Sequence, residues 1–482
     1  SSFPGGSTYA AYVGNKASRL PMVYIGANDG MLHGFRADGG ATGSGSELMA
    51  HVPAAVVPKL NRLMDPGYSH TFYVDGSPTV HDAYIGNAWK TVLVSGLGAG
   101  GRSVFALDIT DPAQHGPSKV MWEFTDPDLG FTFSQPQIAR LTSGHWVAVF
   151  GNGYNSASTN EKAWLFVVDL ATGALLKKLQ AGGTAASNGL STPALIDTNH
   201  DKIADFAYAG DLQGNVWKFD LSGTSSAAWS VANGGQRLFR AVDASGRVQP
   251  ITVKPALALP ASQPQGGAMV LSATGRYPTT PDPADTATQT FYAIWDNFST
   301  GEVSRSQLRP QAIENETSFL GFDLRQTTAH TVDYTSQRGW YMDLSVPGQP
   351  VSGERVISNA MLRYDRVIFM TMIPSTDVCM PGGSSWLMEL DAFSGSRTRQ
   401  SVFDLNNDGF YDLADQLPSG ATAGGIRSSV GITKTPAWLE QGRSSEHAFK
   451  LLSGSTGGIS SVRNRKPAMA GTVRRVFWQQ IQ

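Results

Sequence analysis

Short apolar runs recur along the whole chain, each ending at Gly or Ser, followed by a glycine-rich turn and a second strand that closes on an acidic or polar residue. Met22-Val23-Tyr24-Ile25-Gly26 passes through Asn28-Asp29-Gly30 into Met31-Leu32-His33-Gly34-Phe35. Thr91 to Ser95 passes through Gly96 to Gly101 into Val104-Phe105-Ala106-Leu107-Asp108. Trp146 to Gly151 leads to Trp164 to Asp169, and Asp205 to Gly210 leads to Asn215 to Asp220. Fainter copies pair Ala268 to Ser272 with Phe291 to Asp296, and Arg366 to Thr371 with Ser385 to Asp391. Ala448 to Ser453 opens a last copy, which Arg475-Val476-Phe477-Trp478 is expected to close. Runs of this length, rich in β-branched and aromatic residues and bounded by turn formers, predict strands joined as hairpins.

Five of the units carry a proline just ahead: Pro78, Pro136, Pro193, Pro255 and Pro436. Proline has no N–H to give a ladder, so it belongs at a strand start or on an edge. About seven such hairpin units, five of them entered by a proline-marked strand, predict an all-β, modified seven-bladed β-propeller with loop or helix insertions. The chain is expected to form a single propeller domain over 1–482, with insertions at about 57–73 and 298–351. The competing architecture is a pair of β-sandwiches.

Composition narrows the function classes. Of 482 residues, 41% are hydrophobic and only 16% charged, with 53 glycines, which fits turn-rich exported β-proteins better than an average cytosolic domain. The net charge is −2 and no run of Lys or Arg forms a basic stripe, which argues against nucleic acid as a partner. Cys379 is the one cysteine, so no intrachain disulfide exists. No stretch reaches the roughly 20 apolar residues of a membrane helix, and an export signal is expected in an N-terminal part missing here.

The clearest chemistry lies in Asp404-Leu405-Asn406-Asn407-Asp408-Gly409-Phe410-Tyr411-Asp412-Leu413-Ala414-Asp415. Oxygen-bearing side chains fall at loop positions 1, 3, 5 and 9, glycine at position 6 and an acid at position 12, the template of a calcium loop. Ca²⁺ takes six to eight hard oxygens; Asp404, Asn406, Asp408 and Asp412 supply side chains and Phe410 a main-chain carbonyl. Asp415, one methylene shorter than the usual Glu, is the less certain ligand. A second stretch, Asp197-Thr198-Asn199-His200-Asp201-Lys202-Ile203-Ala204-Asp205, repeats the oxygens at Asp197, Asn199, Asp201 and Asp205, with Ile203 at the carbonyl position. There Lys202 replaces the glycine and Tyr208 stands at position 12, so this loop is expected to bind weakly or to be an Asx-rich turn. Gly96-Leu97-Gly98-Ala99-Gly100-Gly101 fits G-x-G-x-x-G, yet a strand follows where a dinucleotide site needs a helix, so a hairpin turn is expected. No catalytic constellation stands out, and Cys379 has no indicated base partner.

With these repeats and loops in view, the chain resembles the C-terminal domain of the PilC/PilY family of type IV pilus tip proteins. The segments that carry the resemblance are VYIGANDGMLHGF (Val23 to Phe35), FYVDGSP (Phe72 to Pro78), GGSSWLMELD (Gly382 to Asp391), Thr192 to Gly223, Asp404 to Asp412 and Arg474 to Ile481. The resemblance implies a modified seven-bladed propeller, and a non-enzymatic role in pilus biogenesis in which Ca²⁺ governs the balance of extension and retraction. Twitching motility and surface attachment would follow from it, as would a place at the cell surface or pilus tip among pilin and minor pilins, facing a host or abiotic surface. It puts the family's calcium position on Asp404, Asn406, Asp408, Phe410 and Asp412. The Arg-Gly-Asp motif of some members is absent here, which weighs against integrin binding. Two other classes compete. A quinoprotein dehydrogenase shares strand–Asp–turn–Gly units such as Val168 to Gly173, but one cysteine cannot supply the adjacent pair many of those enzymes use. A glycan-binding lectin propeller is the third option.

Overall fold

A computed structural model describes residues 5–39, 42–158, 162–182, 187–261, 264–375, 382–441 and 445–466, and the backbone of 473–474. Among the described residues thirty-three strands follow one another: β1 (Met22–Gly26), β2 (Leu32–Arg36), β3 (Glu47–His51), β4 (Thr79–Ile85), β5 (Ala88–Gly96), β6 (Val104–Asp108), β7 (Val120–Phe124), β8 (Gln137–Arg140), β9 (Trp146–Gly151), β10 (Trp164–Asp169) and β11 (Leu175–Gln180). Then follow β12 (Ala194–Ile196), β13 (Phe206–Gly210), β14 (Asn215–Asp220), β15 (Ser230–Val231), β16 (Phe239–Arg240), β17 (Ala256–Pro260), β18 (Ala268–Ala273), β19 (Thr290–Asp296), β20 (Arg309–Gln311), β21 (Ile313–Phe319), β22 (Phe322–Thr327) and β23 (Gly339–Asp343). The last are β24 (Met361–Arg363), β25 (Arg366–Met370), β26 (Ile373–Pro374), β27 (Gly383–Ser384), β28 (Trp386–Asp391), β29 (Gly425–Arg427), β30 (Ala437–Glu440), β31 (His447–Ser453), β32 (Ile459–Arg465) and β33 (Val473–Arg474).

Among the described residues these strands build seven sheets of three to six strands, plus the two-stranded β26–β27. The all-β, seven-bladed expectation is met. Four sheets run in chain order, β1 to β3, β4 to β7, β8 to β11 and β30 to β32. The five predicted prolines stand immediately before β4, β8, β12, β17 and β30, where a missing N–H costs no ladder bond.

The chain divides into two compact units. Among the described residues, one comprises 5–209 with Lys218–Gly235, the other Gly210–Trp217 with 236–466 and 473–474. In the first, the inward faces of β4 to β10 bury Val92, Val94, Val104, Ala106, Phe150 and Phe166 in one apolar cluster. In the second, β18, β19, β23, β25 and β28 bury Met269, Phe291, Trp340, Phe369 and Met388. Side chains alternate across a strand, so each continuous apolar run delivers alternate residues to one cluster and the rest to a second layer, as Val92 and Val94 do against Leu93. Burying a large side chain contributes about 1.5–3 kcal/mol.

Two readings of the sequence change. The stretch 298–351, expected as an insertion, supplies β20 to β23, and β21–β22 pairs on through β29 into the sheet of β25 and β28. Its hairpin was hidden because β21, IENETSF, is mostly exposed and polar. The strand that closes the last unit is β32, which pairs with β31 from His447↔Arg465 to Ser453↔Ile459; residues 475–478 lie outside the described residues. So does Cys379. The stretch 57–73 does hold the 3₁₀ turn Val57–Met64. The glycines 96–101 form the turn between β5 and β6, as expected. A Cβ on Gly100 would lie 1.7 Å from the Tyr73 carbonyl oxygen, so this glycine serves close packing of the FYVDGSP segment.

Candidate metal loops

The loop 404–415 leaves the sheet after β28 and returns before β29. Its stem is apolar and buried: Val402, Phe403, Leu405 and Leu417 pack with Leu452 of β31 and Ile426 of β29. Phe403 bridges to Asn464 of β32, and Arg465 N donates to the Val402 carbonyl at 2.8 Å. The loop is thereby fixed against β31 and β32.

Within it, carboxylates and amides accept from the backbone two to five residues on. Asp404 Oδ2 accepts from Gly409 N at 3.0 Å, Asn406 Oδ1 from Asp408 N at 3.0 Å, and Asp408 Oδ1 from Phe410 N at 2.8 Å. Asn407 and Gly409 take φ of 62° and 87°, the left-handed turns that coil the chain inward. Asp412 Oδ1 accepts from Ala414 N at 2.8 Å.

Asp404 is the buried end of the site. Its side chain is fully shielded, and Oδ1 has no hydrogen-bond partner. A buried carboxylate oxygen left unpaired is costly, and a cation coordinated there would satisfy it. The hard oxygens around it suit Ca²⁺. Oδ2 also accepts from Arg463 Nη1 of β32 at 2.7 Å.

Asp415 does something else. Its Oδ1 accepts from Leu405 N at 2.7 Å and its Oδ2 from Asp412 N at 3.2 Å. It is buried, which pushes its carboxyl above the usual range while those amides pull the other way and the Asp404 charge adds to the rise. Position 12 here ties the two ends of the loop together.

The loop 197–205 lies between β12 and β13 and coils the same way. Asp197 Oδ2 accepts from Lys202 N at 2.7 Å and Oδ1 from His200 N at 2.6 Å. Asn199 Oδ1 accepts from Asp201 N at 2.9 Å, and Asp201 Oδ1 from Ile203 N at 2.8 Å. His200 and Lys202 take φ of 65° and 73°, the counterparts of Asn407 and Gly409. Asp205 Oδ2 closes the loop on Thr198 N at 2.8 Å and Thr198 Oγ1 at 2.5 Å. Tyr208 is buried within β13, and takes no part.

Among the described residues, no three Asp, Glu, His or Cys side chains converge as a metal-binding group. The acids of both loops are turned onto backbone amides, and main-chain and amide oxygens make up the rest of each donor set. Two participants were invisible in the sequence. Arg463 lies 59 residues beyond Asp404, and His447, whose Nδ1 meets Tyr411 Oη at 3.1 Å, comes from β31. Only the pairing of β31 and β32 beside the loop brings them in.

Comparison with known proteins finds relatives of the chain. The sequence profile described as the PilY1 beta-propeller domain matches residues 2–319. The type IV pilus biogenesis factor PilY1 of Pseudomonas aeruginosa strain PAO1 is 41% identical over 451 residues, covering 85% of this chain and 38% of that protein. A PilY1 homolog of Xylella fastidiosa is 39% identical over 451 residues, covering 89% of this chain and 29% of that protein. The chain thus spans less than two fifths of the length of these relatives. The crystal structure of the Pseudomonas aeruginosa PilY1 C-terminal domain superposes with a TM-score of 0.80 at 36% identity, covering 95% of both chains.

Proposed function

The chain belongs to the PilY1 β-propeller family, and from that premise we propose that it is the propeller part of a type IV pilus biogenesis factor whose loops bind calcium. The pilus role rests on the 41% identity to a protein named for it. The calcium role rests on the buried, unpartnered Asp404 Oδ1 at the head of a loop whose donors are all hard oxygens.

Asp404, Asn406, Asp408 and Asp412 hold the ion by their side chains and Phe410 by its carbonyl. Asp415 keeps the ends of the loop together. The loop 197–205 offers Asp197, Asn199, Asp201, Asp205 and the Ile203 carbonyl on the same coil, and takes a second ion more weakly because Lys202 brings a positive charge to the turn. Calcium orders each loop around its acids and offers partners two distinguishable surfaces. Through that difference the ion regulates pilus extension and retraction, and with them twitching and attachment.

The protein acts without catalysis, outside the cytoplasm, at the pilus tip among pilin and minor pilins. In the parent bacterium, Asp404→Ala is expected to leave the protein folded and exported while altering piliation or twitching. Asp412→Lys, which places a fixed positive charge at the site, tests the same idea by mimicking occupancy. Wild-type piliation and twitching in both variants, with calcium binding lost, would reduce the ion to a structural clasp.

A further inference from the structure

Asp404 Oδ2 is already engaged by a cation of the protein itself. Arg463 Nη1 stands 2.7 Å from it, with the Asp404 side chain fully buried and the Arg463 side chain 30% exposed. The guanidinium lies against the turn that any ion must enter, since a Cβ on Gly409 would be 3.8 Å from Nη1. We propose that Arg463 is a built-in rival of calcium for Asp404, an affinity-setting residue that must leave before the loop can load. This rests on the calcium reading above.

The physics is a competition of charges. A divalent ion seated on Asp404 would stand within a few ångströms of the guanidinium, and at that distance like charges repel strongly in a partly buried setting. Calcium would bind the unpartnered Oδ1 of the same carboxylate whose Oδ2 Arg463 holds, so the two cations compete for one anion. Loading and pairing are therefore linked, each weakening the other by the same factor. There is room for the arginine to shift: a cavity of about 400 Å³ begins at Asp404 and Arg463 and runs on past Ser428, Ser460 and Phe449 to Arg427. The side chain already passes the Phe449 ring, with Cζ 5.9 Å from its centroid. Turned into that cavity, it has serine hydroxyls to donate to and an aromatic face to lie against.

Calorimetric titration of the whole chelator-stripped chain with calcium tests this. The heat lost in Asp404→Ala identifies the component that belongs to this loop. Arg463→Gln is expected to tighten that component by about fivefold or more, the lower end of common coupling strengths. Arg463→Lys, which keeps the charge but loses the planar fork, should fall between Gln and wild type. Arg427→Gln, on the same cavity but paired with Asp323, should leave it within about twofold, as a surface pair does little. Phenylglyoxal labelling read by peptide mass should modify Arg463 faster with calcium than with chelator. Unchanged or weaker affinity in a folded Arg463→Gln, or equal labelling in both states, overturns the rivalry and leaves the calcium reading standing. Absence of binding in wild type and in every variant overturns both.

Discussion

The loops 404–415 and 197–205 coil alike and are closed by different residues. In each, the first aspartate accepts from the amide five residues on, and φ turns positive at the fourth and sixth residues. In the first loop Asp415 reaches back to Leu405; in the second Asp205 reaches back to Thr198. The coil therefore comes from carboxylates capturing amides, and glycine only lowers its cost. Lys202 occupies the left-handed region without it, where an L side chain costs roughly 1–2 kcal/mol. The closing residue matters more for chemistry. Moving the clasp from position 9 to position 12 frees Asp412 from that duty, whereas Asp205 would have to serve as clasp and ligand together.

The largest expected effect separates the loops by what stands behind them. Beside the first loop, Glu389 of β28, Lys450 of β31 and Arg366 of β25 form a buried charge group, with Asn464 Oδ1 accepting from Lys450 Nζ at 2.9 Å. Burial alone would raise the Glu389 carboxyl, but Lys450 and Arg366 hold it below the usual range. Lys450→Ala leaves Glu389 with one cation in a dry site, which should cost about 3–5 kcal/mol. Chemical denaturation would measure it, and hydrogen exchange should rise in 402–415 but not in 197–205. Equal exchange in both loops would show that the charge group does not support the first.

Next come the clasps. Asp415→Ala removes a buried carboxylate that accepts from the amides of Leu405, Asn406 and Asp412, and is expected to destabilise by about 2–3 kcal/mol. Asp205→Ala removes bonds to Thr198 alone and should cost about half as much. Thermal unfolding of the two variants checks the order. A larger loss for Asp205 would mean that the second loop carries more of its unit than its bonds suggest.

A smaller pair of changes tests the glycine. Lys202→Gly should stabilise by about 1 kcal/mol through relief of a left-handed lysine, and calcium should bind 197–205 more tightly once the charge is gone. Gly409→Ala should cost about 1 kcal/mol for the same reason in reverse. Denaturation and calcium titration read both. If Lys202→Gly is neutral, the aspartate capture alone fixes the turn and the residue at that position is free.

Much of this was written in the chain and some was not. The five prolines and the short apolar runs between turn formers placed the strands because both act locally, through one missing N–H and a few consecutive buried residues. The hairpin β21–β22 escaped because Glu314, Asn315 and Glu316 stand exposed on it, and a polar strand has no period to show. The donor spacing of each loop was legible, since apart from the closing bonds of Asp205 and Asp415 every capture spans at most five residues. The closure by Asp415 was legible only as an acid at position 12, where the template suggests a ligand. Arg463, His447 and the charge group depend on strand pairing far along the chain, and no local pattern reports that.

The last prediction isolates the main-chain ligand. In the template the seventh residue gives its carbonyl, so the side chain there is free to vary. Phe410 shows that freedom at an extreme, with 68% of its surface exposed, while Ile203 at the same place in the other loop is half-buried. Phe410→Ala should therefore leave calcium affinity within about twofold and stability within about 0.5 kcal/mol, the range of ordinary surface changes. Ile203→Ala should cost stability through lost packing with little change in its own loop's affinity. Phe410→Pro keeps the carbonyl but removes the N–H that Asp408 Oδ1 captures at 2.8 Å, so it should weaken calcium binding where alanine does not. Titration of the three variants decides the matter. If alanine at 410 weakens binding as much as proline does, the exposed ring itself organises the loop, and the likeness between the two loops ends at their backbones.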